Sequence, residues 1–291
     1  LAAGGHNTCA LLDVGTIACW GDNEHSQCGY SISPAVGDEP GEMGGTLIRI
    51  DPPEAARSVS VGAGHVCAVT SAGAVYCWGD NGGGQLGVGV DEAIDGAVDE
   101  VREGLLAVDL GTDRTAMTVE TGTCNYGYKS ESAPFSCAIR DDGALRCWGY
   151  LGFLLADAGE VGSEPSQLGA ALPAFDLAPG RAAVALDAGC RHVCVLGDDG
   201  GVHCWGATDV LAGGHDPLAA GIVPDAVPLG KGRGAKALAA SGGHTCVLLD
   251  EGSVKCWGLN SSGQLGLGDV TERGNVVTAL GDALPAVAVT F

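Results

Sequence analysis

The sequence predicts an all-β fold made of five repeated hairpins. The first observation is a pair of cysteines ten positions apart, which occurs at five places in the 291-residue chain. The second is Trp-Gly directly after each second cysteine, a pattern that uses all five tryptophans. The third is a glycine six residues after each first cysteine. Repetition of this kind is typical of a protein built from similar structural units.

Each unit is predicted to be a β-hairpin. The turn between the two cysteines carries Asp or Ser before Gly, and these residues supply the hydrogen bonds and the positive φ of short hairpin loops. The flanking segments alternate and are rich in small and β-branched residues, as strands are. The pairs are Cys9/Cys19, Cys67/Cys77, Cys137/Cys147, Cys194/Cys204 and Cys246/Cys256.

The cysteine spacing favours disulfides over metal ligands. Residues that face each other across a hairpin have Cβ atoms about 4.5–5.5 Å apart, close to the reach of a disulfide. Zinc motifs place about two to four residues between ligands, whereas nine residues lie between these cysteines. We therefore predict five hairpin disulfides and an oxidising location: secreted, periplasmic or at the cell surface.

Two further residue types recur beside the paired cysteines. A histidine precedes the first cysteine in four units, and the third unit has Phe135 and Ser136 instead. A shared metal or catalytic base is one interpretation of these histidines, but the unit without one favours a structural residue that fixes its loop by a hydrogen bond. The histidines are His6, His65, His192 and His244. The tryptophans are predicted to be core residues: Trp20, Trp78, Trp148, Trp205 and Trp257.

A loop motif follows Trp-Gly. Residues 80–89 read DNGGGQLGVG and residues 259–268 read LNSSGQLGLG. The first unit has Cys28 where these two have Leu86 and Leu265. The glycines let the chain turn, and the leucine is expected to pack into the core between neighbouring units.

The segment GAGHVCAVTSAGAVYCWGDNGGGQLGVG, residues 62–89, resembles the repeat of the regulator of chromosome condensation family. The resemblance covers essentially the whole chain and implies a single β-propeller domain over residues 1–291, with five four-stranded antiparallel blades. Family propellers commonly have seven blades, so five is a departure. The segments LAAGGH and PAVAVTF together resemble residues 235–244, so pairing of the N- and C-terminal strands is expected to close the ring. The paired cysteines, which many intracellular members lack, indicate an extracellular, bacterial-type member.

Three cysteines lie outside the five pairs, and their odd number leaves at least one without a partner in the chain. Cys124 and Cys190 lie in the segments that lead into the third and fourth hairpins, which are neighbours in a propeller. We predict a disulfide between Cys124 and Cys190. Cys28 is predicted to be reduced and buried, because a thiol behaves as a small apolar side chain.

Composition excludes several functions. A net charge of −22 disfavours nucleic acids and anionic membranes as partners. The sequence lacks an apolar stretch of about 18 residues that would span a membrane. It also lacks the nucleophile-elbow, zincin and phosphate-loop motifs, so we assign no catalytic residue and predict that the chain is not an enzyme.

Binding is expected in the segments between the motifs, because rigid scaffolds carry recognition on their loops. The most aromatic segment supplies the candidate partner-binding residues, although core packing also explains them: Tyr126, Tyr128, Lys129 and Phe135. The acidic segment 91–109 permits a Ca²⁺ site, but its spacing is not that of an EF-hand. A solvated acidic face is the preferred interpretation, and no cofactor is expected.

Two functions remain open. The first is a monomeric, non-catalytic, secreted or cell-surface propeller that binds a protein partner through its face loops. The second is a carbohydrate-binding propeller, in which a sugar lies against an aromatic ring between blades. The loops are unequal in length and sequence, which argues against five equivalent sugar sites. Binding of an extracellular protein is therefore the preferred hypothesis, with a glycan as the alternative partner.

Overall fold

The computed structural model describes residues 1–29, 34–94, 104–122, 134–156, 158–207 and 223–288. Within these ranges the fold is all-β, as predicted. The described residues contain eighteen strands, which form five antiparallel sheets. No helix in the described ranges is long and apolar enough to cross a membrane. Short 3₁₀ turns lie at Gly44–Thr46, Pro165–Gln167, Gly169–Ala171, Val277–Ala279 and Gly281–Ala283.

Each sheet corresponds to one sequence repeat. The first contains β1 (Ala2–Gly4), β2 (Asn7–Leu11), β3 (Ile17–Asp22), β4 (Ala35–Val36) and β5 (Arg49–Ile50). The second contains β6 (Ala56–Val61), β7 (His65–Thr70) and β8 (Val75–Gly79). The third contains β9 (Ala116–Thr121), β10 (Phe135–Arg140), β11 (Leu145–Tyr150) and β12 (Glu160–Val161). The fourth contains β13 (Ala183–Ala188), β14 (His192–Gly197) and β15 (Val202–Gly206), and the fifth contains β16 (Ala235–Ser241), β17 (His244–Leu249) and β18 (Val254–Gly258).

The five predicted hairpin disulfides are confirmed. In the second sheet, Cys67 on β7 lies directly opposite Cys77 on β8, and Gly73 in the turn has a φ of 81°. Such a positive φ is readily adopted only by glycine. In every pair the two Cα atoms are 4.1 Å apart. The bonds are Cys9–Cys19, Cys67–Cys77, Cys137–Cys147, Cys194–Cys204 and Cys246–Cys256.

The number of strands differs from the predicted four per blade. The third sheet has four strands and the first has five, but the other three sheets have three each within the described residues. In the fourth sheet the outer segment is held to β15 by a hydrogen bond from Val227 N–H to the Val202 carbonyl. Pro224 and Pro228 flank this contact. Proline has no N–H to donate to a ladder, which limits pairing there.

The C-terminal segment lies at the outer edge of the fifth sheet. Val287 N–H donates to the Val254 carbonyl at 2.8 Å, and this repeats the contact of Val227 with Val202 in the fourth sheet. The N-terminal strand β1 pairs with β2. Residues 289–291 lie outside the described residues, so pairing of the two terminal strands remains a prediction.

The chain divides into two compact units. The first comprises Leu1–Asp141, Arg146–Leu151 and Gly159–Pro173, and the second comprises Asp142–Leu145, Gly152–Ala158 and Ala174–Phe291. The single domain over residues 1–291 therefore remains a prediction.

Within each unit the core lies between consecutive sheets. Because side chains alternate along a strand, each hairpin has two faces. We call the side that packs on the next sheet the following face, and the side that packs on the previous sheet the preceding face. In the first unit, Cys9 and Ile17 on the first sheet belong to the same core as Val66 and Trp78 on the second.

Candidate functional site

The hairpin disulfides lie in the interior of the fold. The second cysteine of every pair is buried, on the strand that precedes Trp-Gly: Cys19, Cys77, Cys147, Cys204 and Cys256. The first cysteine is buried in the first four pairs, whereas Cys246 of the fifth pair is only partly buried. A buried disulfide offers no surface to a ligand, so the paired cysteines of the first four sheets hold their hairpins together and do not contact a ligand.

His65 joins the second sheet to the third. Its ring is fully buried on the following face of β7, and Nε2 lies 2.9 Å from Ser136 Oγ on β10. The Ser136 hydroxyl donates its proton to the Gln85 carbonyl at 2.9 Å. The Nε2–H of a neutral imidazole therefore donates to Ser136, and Nδ1 has no hydrogen-bond partner among the described residues.

His192 makes the same connection in the second unit. Its Nε2 lies 2.8 Å from Thr245 Oγ1, so β14 of the fourth sheet is joined to β17 of the fifth. The contacts of His65 and His192 are structural ones, but the partner differs from the one predicted. Each of these two rings bonds a hydroxyl on the next sheet instead of fixing its own loop.

The other two histidines do not share this role. His6 is exposed, and Asn7 occupies the position two residues before the cysteine that His65 occupies in the second sheet. His244 is only partly buried, and this burial lowers its pKa. Within the described part of the chain, no group of three potential ligands is arranged to hold a metal ion.

Phe135 takes the histidine position in the third sheet. Its ring is fully buried on β10, so this residue is a core residue and not part of the predicted binding surface. A Cβ on Gly122 would lie 2.3 Å from the Phe135 ring, so the glycine makes room for it. Gly189 makes room for His192 in the same way, at 2.1 Å. The other candidate binding residues, Tyr126, Tyr128 and Lys129, lie outside the described residues.

The tryptophans also connect consecutive sheets. Trp78 lies on the preceding face of its hairpin and donates its indole N–H to the Gln27 carbonyl at 3.0 Å. Trp148 donates in the same way to the Gln85 carbonyl at 2.9 Å. Trp78, Trp148, Trp205 and Trp257 are all buried, whereas Trp20 is only partly buried.

The loop motif positions the backbone carbonyl that accepts the hydrogen bond from the tryptophan indole. Asn81 Oδ1 accepts the N–H of Leu86 at 3.0 Å, and Asn260 Oδ1 accepts the N–H of Leu265 at the same distance. Both leucines are fully buried, as expected. The motif therefore forms a hydrogen-bonded loop whose leucine packs in the core and whose backbone carbonyl accepts a hydrogen bond from the next sheet.

Cys28 takes the leucine position in the first sheet. Its N–H donates to Asn23 Oδ1 at 2.8 Å, and its thiol is reduced and fully buried, as predicted. Burial, with a smaller contribution from the charge of Asp22, raises the pKa of Cys28 to about 12. Because the thiolate is the reactive form, we expect this thiol to be inert in the folded protein.

Alkylation tests this assignment. The folded protein should take up no label at pH 8, and unfolding without a reductant should expose one reactive thiol, at Cys28. Intact-mass analysis followed by peptide mapping measures both. Three labels, or a single label on Cys124 or Cys190, would contradict the assignment.

Two predictions reach outside the described residues. Cys190 is disulfide-bonded, but Cys124 lies outside those residues, so the Cys124–Cys190 pairing remains a prediction. In the acidic segment, Asp91 and Glu92 are exposed and Asp109 Oδ1 accepts the N–H of Gly111. The other acidic residues of that segment also lie outside the described residues: Asp95, Asp99, Glu100 and Glu103. A solvated acidic face remains the prediction for this segment, with a Ca²⁺ site as the alternative.

The hairpin turns carry exposed carboxylates. In the fourth sheet Arg181 pairs with Asp198 and Asp199, and in the fifth Arg233 pairs with Asp250 and Glu251. We call the four acidic side chains the turn surface of the second unit. A hydrogen bond from the Ser253 hydroxyl, with a smaller contribution from the charge of Arg233, lowers the pKa of Glu251 to about 2. Each turn thus has two carboxylates and one arginine.

Comparisons with known proteins agree with this architecture. Residues 1–27, 56–85 and 235–264 match the regulator of chromosome condensation (RCC1) repeat. The human E3 ubiquitin-protein ligase HERC2 is 26% identical over 270 residues, which is 92% of this chain and 5% of the ligase. The Arabidopsis thaliana ultraviolet-B receptor UVR8 is 27% identical over 232 residues, which is 76% of this chain and 46% of the receptor. The chain thus spans less than half of either relative.

Two solved structures share the fold. Human WBSCR16 superposes with a TM-score of 0.72 at 20% identity, covering 98% of this chain and 66% of that one. Prp20p from Saccharomyces cerevisiae superposes with a TM-score of 0.64 at 18% identity, covering 98% of this chain and 62% of that one. The fold is therefore that of the β-propeller class. Three segments of the chain match the RCC1 repeat, and the predicted resemblance to that family is confirmed.

Proposed function

We propose that the chain is a non-catalytic propeller that binds a protein partner in an oxidising compartment. The observation that supports this proposal is that the repeated histidines and tryptophans named below are buried and make contacts between sheets. His65, His192, Trp78 and Trp148 are buried and bonded to neighbouring sheets, so they do not contact a ligand. Recognition therefore falls to exposed side chains outside the motif, on a scaffold held rigid by disulfides.

The turn surface of the second unit is the proposed contact. Its carboxylates are exposed and outnumber the arginines beside them, in a chain whose net charge is −22. Charge complementarity steers association with a partner of opposite sign. A basic protein surface therefore fits. Among proteins of this fold, Prp20p is described as binding Gsp1p and histones, which supports protein binding as the general mode.

A carbohydrate partner is less well supported. A lectin site of the expected kind needs an aromatic ring that a sugar can lie against. Four of the five tryptophan side chains are at most 1% exposed, and the indoles of Trp78 and Trp148 are engaged with backbone carbonyls. Those four tryptophans therefore do not supply this ring, and the partly exposed Trp20 alone does not make a set of equivalent sugar sites.

Charge removal on the turn surface tests the proposal. The variant D198N/D199N/D250N/E251Q keeps the hydrogen-bond acceptors but removes four charges. The matched control E24Q/D51N/D91N/E272Q removes four exposed charges elsewhere. Capture from the native extracellular fluid should yield the same salt-sensitive partner with the wild type and the control, and much less of it with the turn variant.

Two results would contradict this function. If the turn variant and the control captured equal amounts of the partner, the turn surface would not be the binding surface. Several weak, equivalent sites on a glycan array, with no captured protein, would favour the carbohydrate-binding alternative.

A further inference from the structure

The chain contains one acceptor motif for N-linked glycans, at Asn260-Ser261-Ser262. An N-glycan is attached to an asparagine that is followed, after one residue other than proline, by serine or threonine. The other asparagines of the sequence lack serine or threonine at that place. Glycosylated asparagines lie on the protein surface, because the attached sugars are bulky. The position of Asn260 in the fold therefore decides whether the folded chain can carry a glycan.

Asn260 lies in the interior, at 0% exposure. Its Nδ2 donates to the Asp269 carbonyl at 2.9 Å and to the Thr271 carbonyl at 3.0 Å. A primary amide has two N–H groups, so both are used. Its Oδ1 accepts the N–H of Leu265 at 3.0 Å. The whole amide is thus engaged with the backbone of its own loop.

Attachment of a glycan is incompatible with these contacts. In the transfer, a polyprenyl-pyrophosphate-linked oligosaccharide forms a bond from its first sugar carbon to Nδ2. The bond from that carbon to the pyrophosphate breaks, and the lipid pyrophosphate leaves with one Nδ2 proton. The modified amide keeps a single N–H, so the carbonyl of either Asp269 or Thr271 loses its donor. The sugar would also need space beside a residue that has no exposed surface.

The amide of Asn260 is explained by the loop and not by glycan attachment. Asn81 has the same role in the second sheet, where Nδ2 donates to the carbonyls of Val90 and Glu92. Asn81 is followed by two glycines and is therefore not an acceptor. In the fifth sheet two serines follow the asparagine, and they create the acceptor motif. Loss of the loop contacts would release Leu265, which is fully buried.

We propose that Asn260 accepts an N-glycan only while the chain is unfolded, and that a glycan there prevents folding. The chain therefore folds productively in an oxidising compartment in which N-glycans are not attached. The proposal rests on the proposed oxidising compartment and narrows it. A periplasm without glycan transfer fits, whereas a secretory route that attaches glycans to unfolded chains does not.

Production in two hosts tests the proposal, with S262A as the variant that removes the acceptor motif. Ser262 is exposed, and its backbone N–H donates to Gln264 Oε1. Gly83 takes the same position in the second sheet and makes the same bond to Gln85, so alanine preserves the loop.

In cells that attach N-glycans to secreted proteins, the glycosylated wild type should be retained, with a mass that an N-glycan hydrolase lowers. The wild type that reaches the medium should carry no glycan and should be less abundant than S262A. In a bacterial periplasm without glycan transfer, the two proteins should accumulate equally, each with the five hairpin disulfides.

A glycan at an exposed site is the matched control. Asp113→Asn creates an acceptor motif in an exposed turn, because Arg114 and Thr115 follow it. Asp113 has a φ of 54°, a conformation in which asparagine is enriched. The variant D113N/S262A should be glycosylated, folded and secreted. Its retention would overturn the proposal, because the place of the glycan would then not matter.

Two other results would also overturn the proposal. The first is glycosylated wild type in the medium with the near-ultraviolet circular dichroism of S262A. The second is wild type secreted without a glycan in the same amount as S262A. Hairpin disulfides missing from the periplasmic protein would contradict the oxidising compartment itself, and the proposal would fall with it.

Discussion

Reduction of the disulfides is expected to unfold the chain at neutral pH and 25 °C. Each hairpin bond joins residues ten positions apart. A loop of this size contributes about 2–3 kcal/mol in the chain-entropy model. Five such bonds contribute on the order of 10 kcal/mol, which is comparable to the whole stability of a typical domain, about 5–15 kcal/mol. Tryptophan fluorescence should shift to the red on reduction, because four of the five indole rings are buried in the folded chain.

Two variants control this experiment. C67S/C77S removes one bond and should lower the free energy of unfolding by about 2–3 kcal/mol while the chain stays folded. Cys28→Ala removes the buried free thiol and should respond to the reductant as the wild type does. A reduced chain that keeps its near-ultraviolet circular dichroism and its denaturation midpoint would show that the disulfides are not needed for stability.

The features predicted correctly from the sequence are local ones. Cys67 and Cys77 face each other because ten positions and a central glycine define a hairpin register. Cys28 is buried because it stands in a loop motif whose leucine position is recognisable in the other repeats. Both predictions use spacing within one repeat, where a few residues fix the geometry.

The features missed depend on contacts between repeats. Ser136 lies 71 residues from His65 in the sequence. The repeat period does not show that the histidine position of one repeat contacts the hydroxyl position of the next. The sequence does contain one signal for this contact. In the repeats that come after those of His65 and His192, a residue with a hydroxyl group directly precedes the first cysteine. In the repeat that comes after that of Asn7, the residue at this position is Val66, which has no hydroxyl group. The aromatic segment predicts Phe135 as a binding residue, although its place two residues before Cys137 is the buried histidine position.

Acidification is expected to destabilise the wild type through His65. Burial lowers the pKa of His65 from 6.5 to about 4, although the charge of Asp80 acts in the opposite direction. Between these two values the unfolded chain binds a proton that the folded chain does not bind. Stability is therefore fully present above about pH 6.5 and falls as the pH decreases towards 4. A shift of this size corresponds to about 3 kcal/mol as an upper estimate.

The variant His65→Phe isolates this contribution from the many carboxylates that titrate in the same range. The third sheet already has Phe135 at this position with Gly122 beside it, and Gly62 gives the second sheet the same space beside His65. Urea denaturation at intervals from pH 7.5 to about 4 should show the wild type losing about 3 kcal/mol more than the variant. The variant should be less stable at pH 7, because the bond to Ser136 is lost, and the difference should shrink or reverse near pH 4. Parallel pH profiles for the two proteins would show that the buried imidazole does not set the acid limit of the fold.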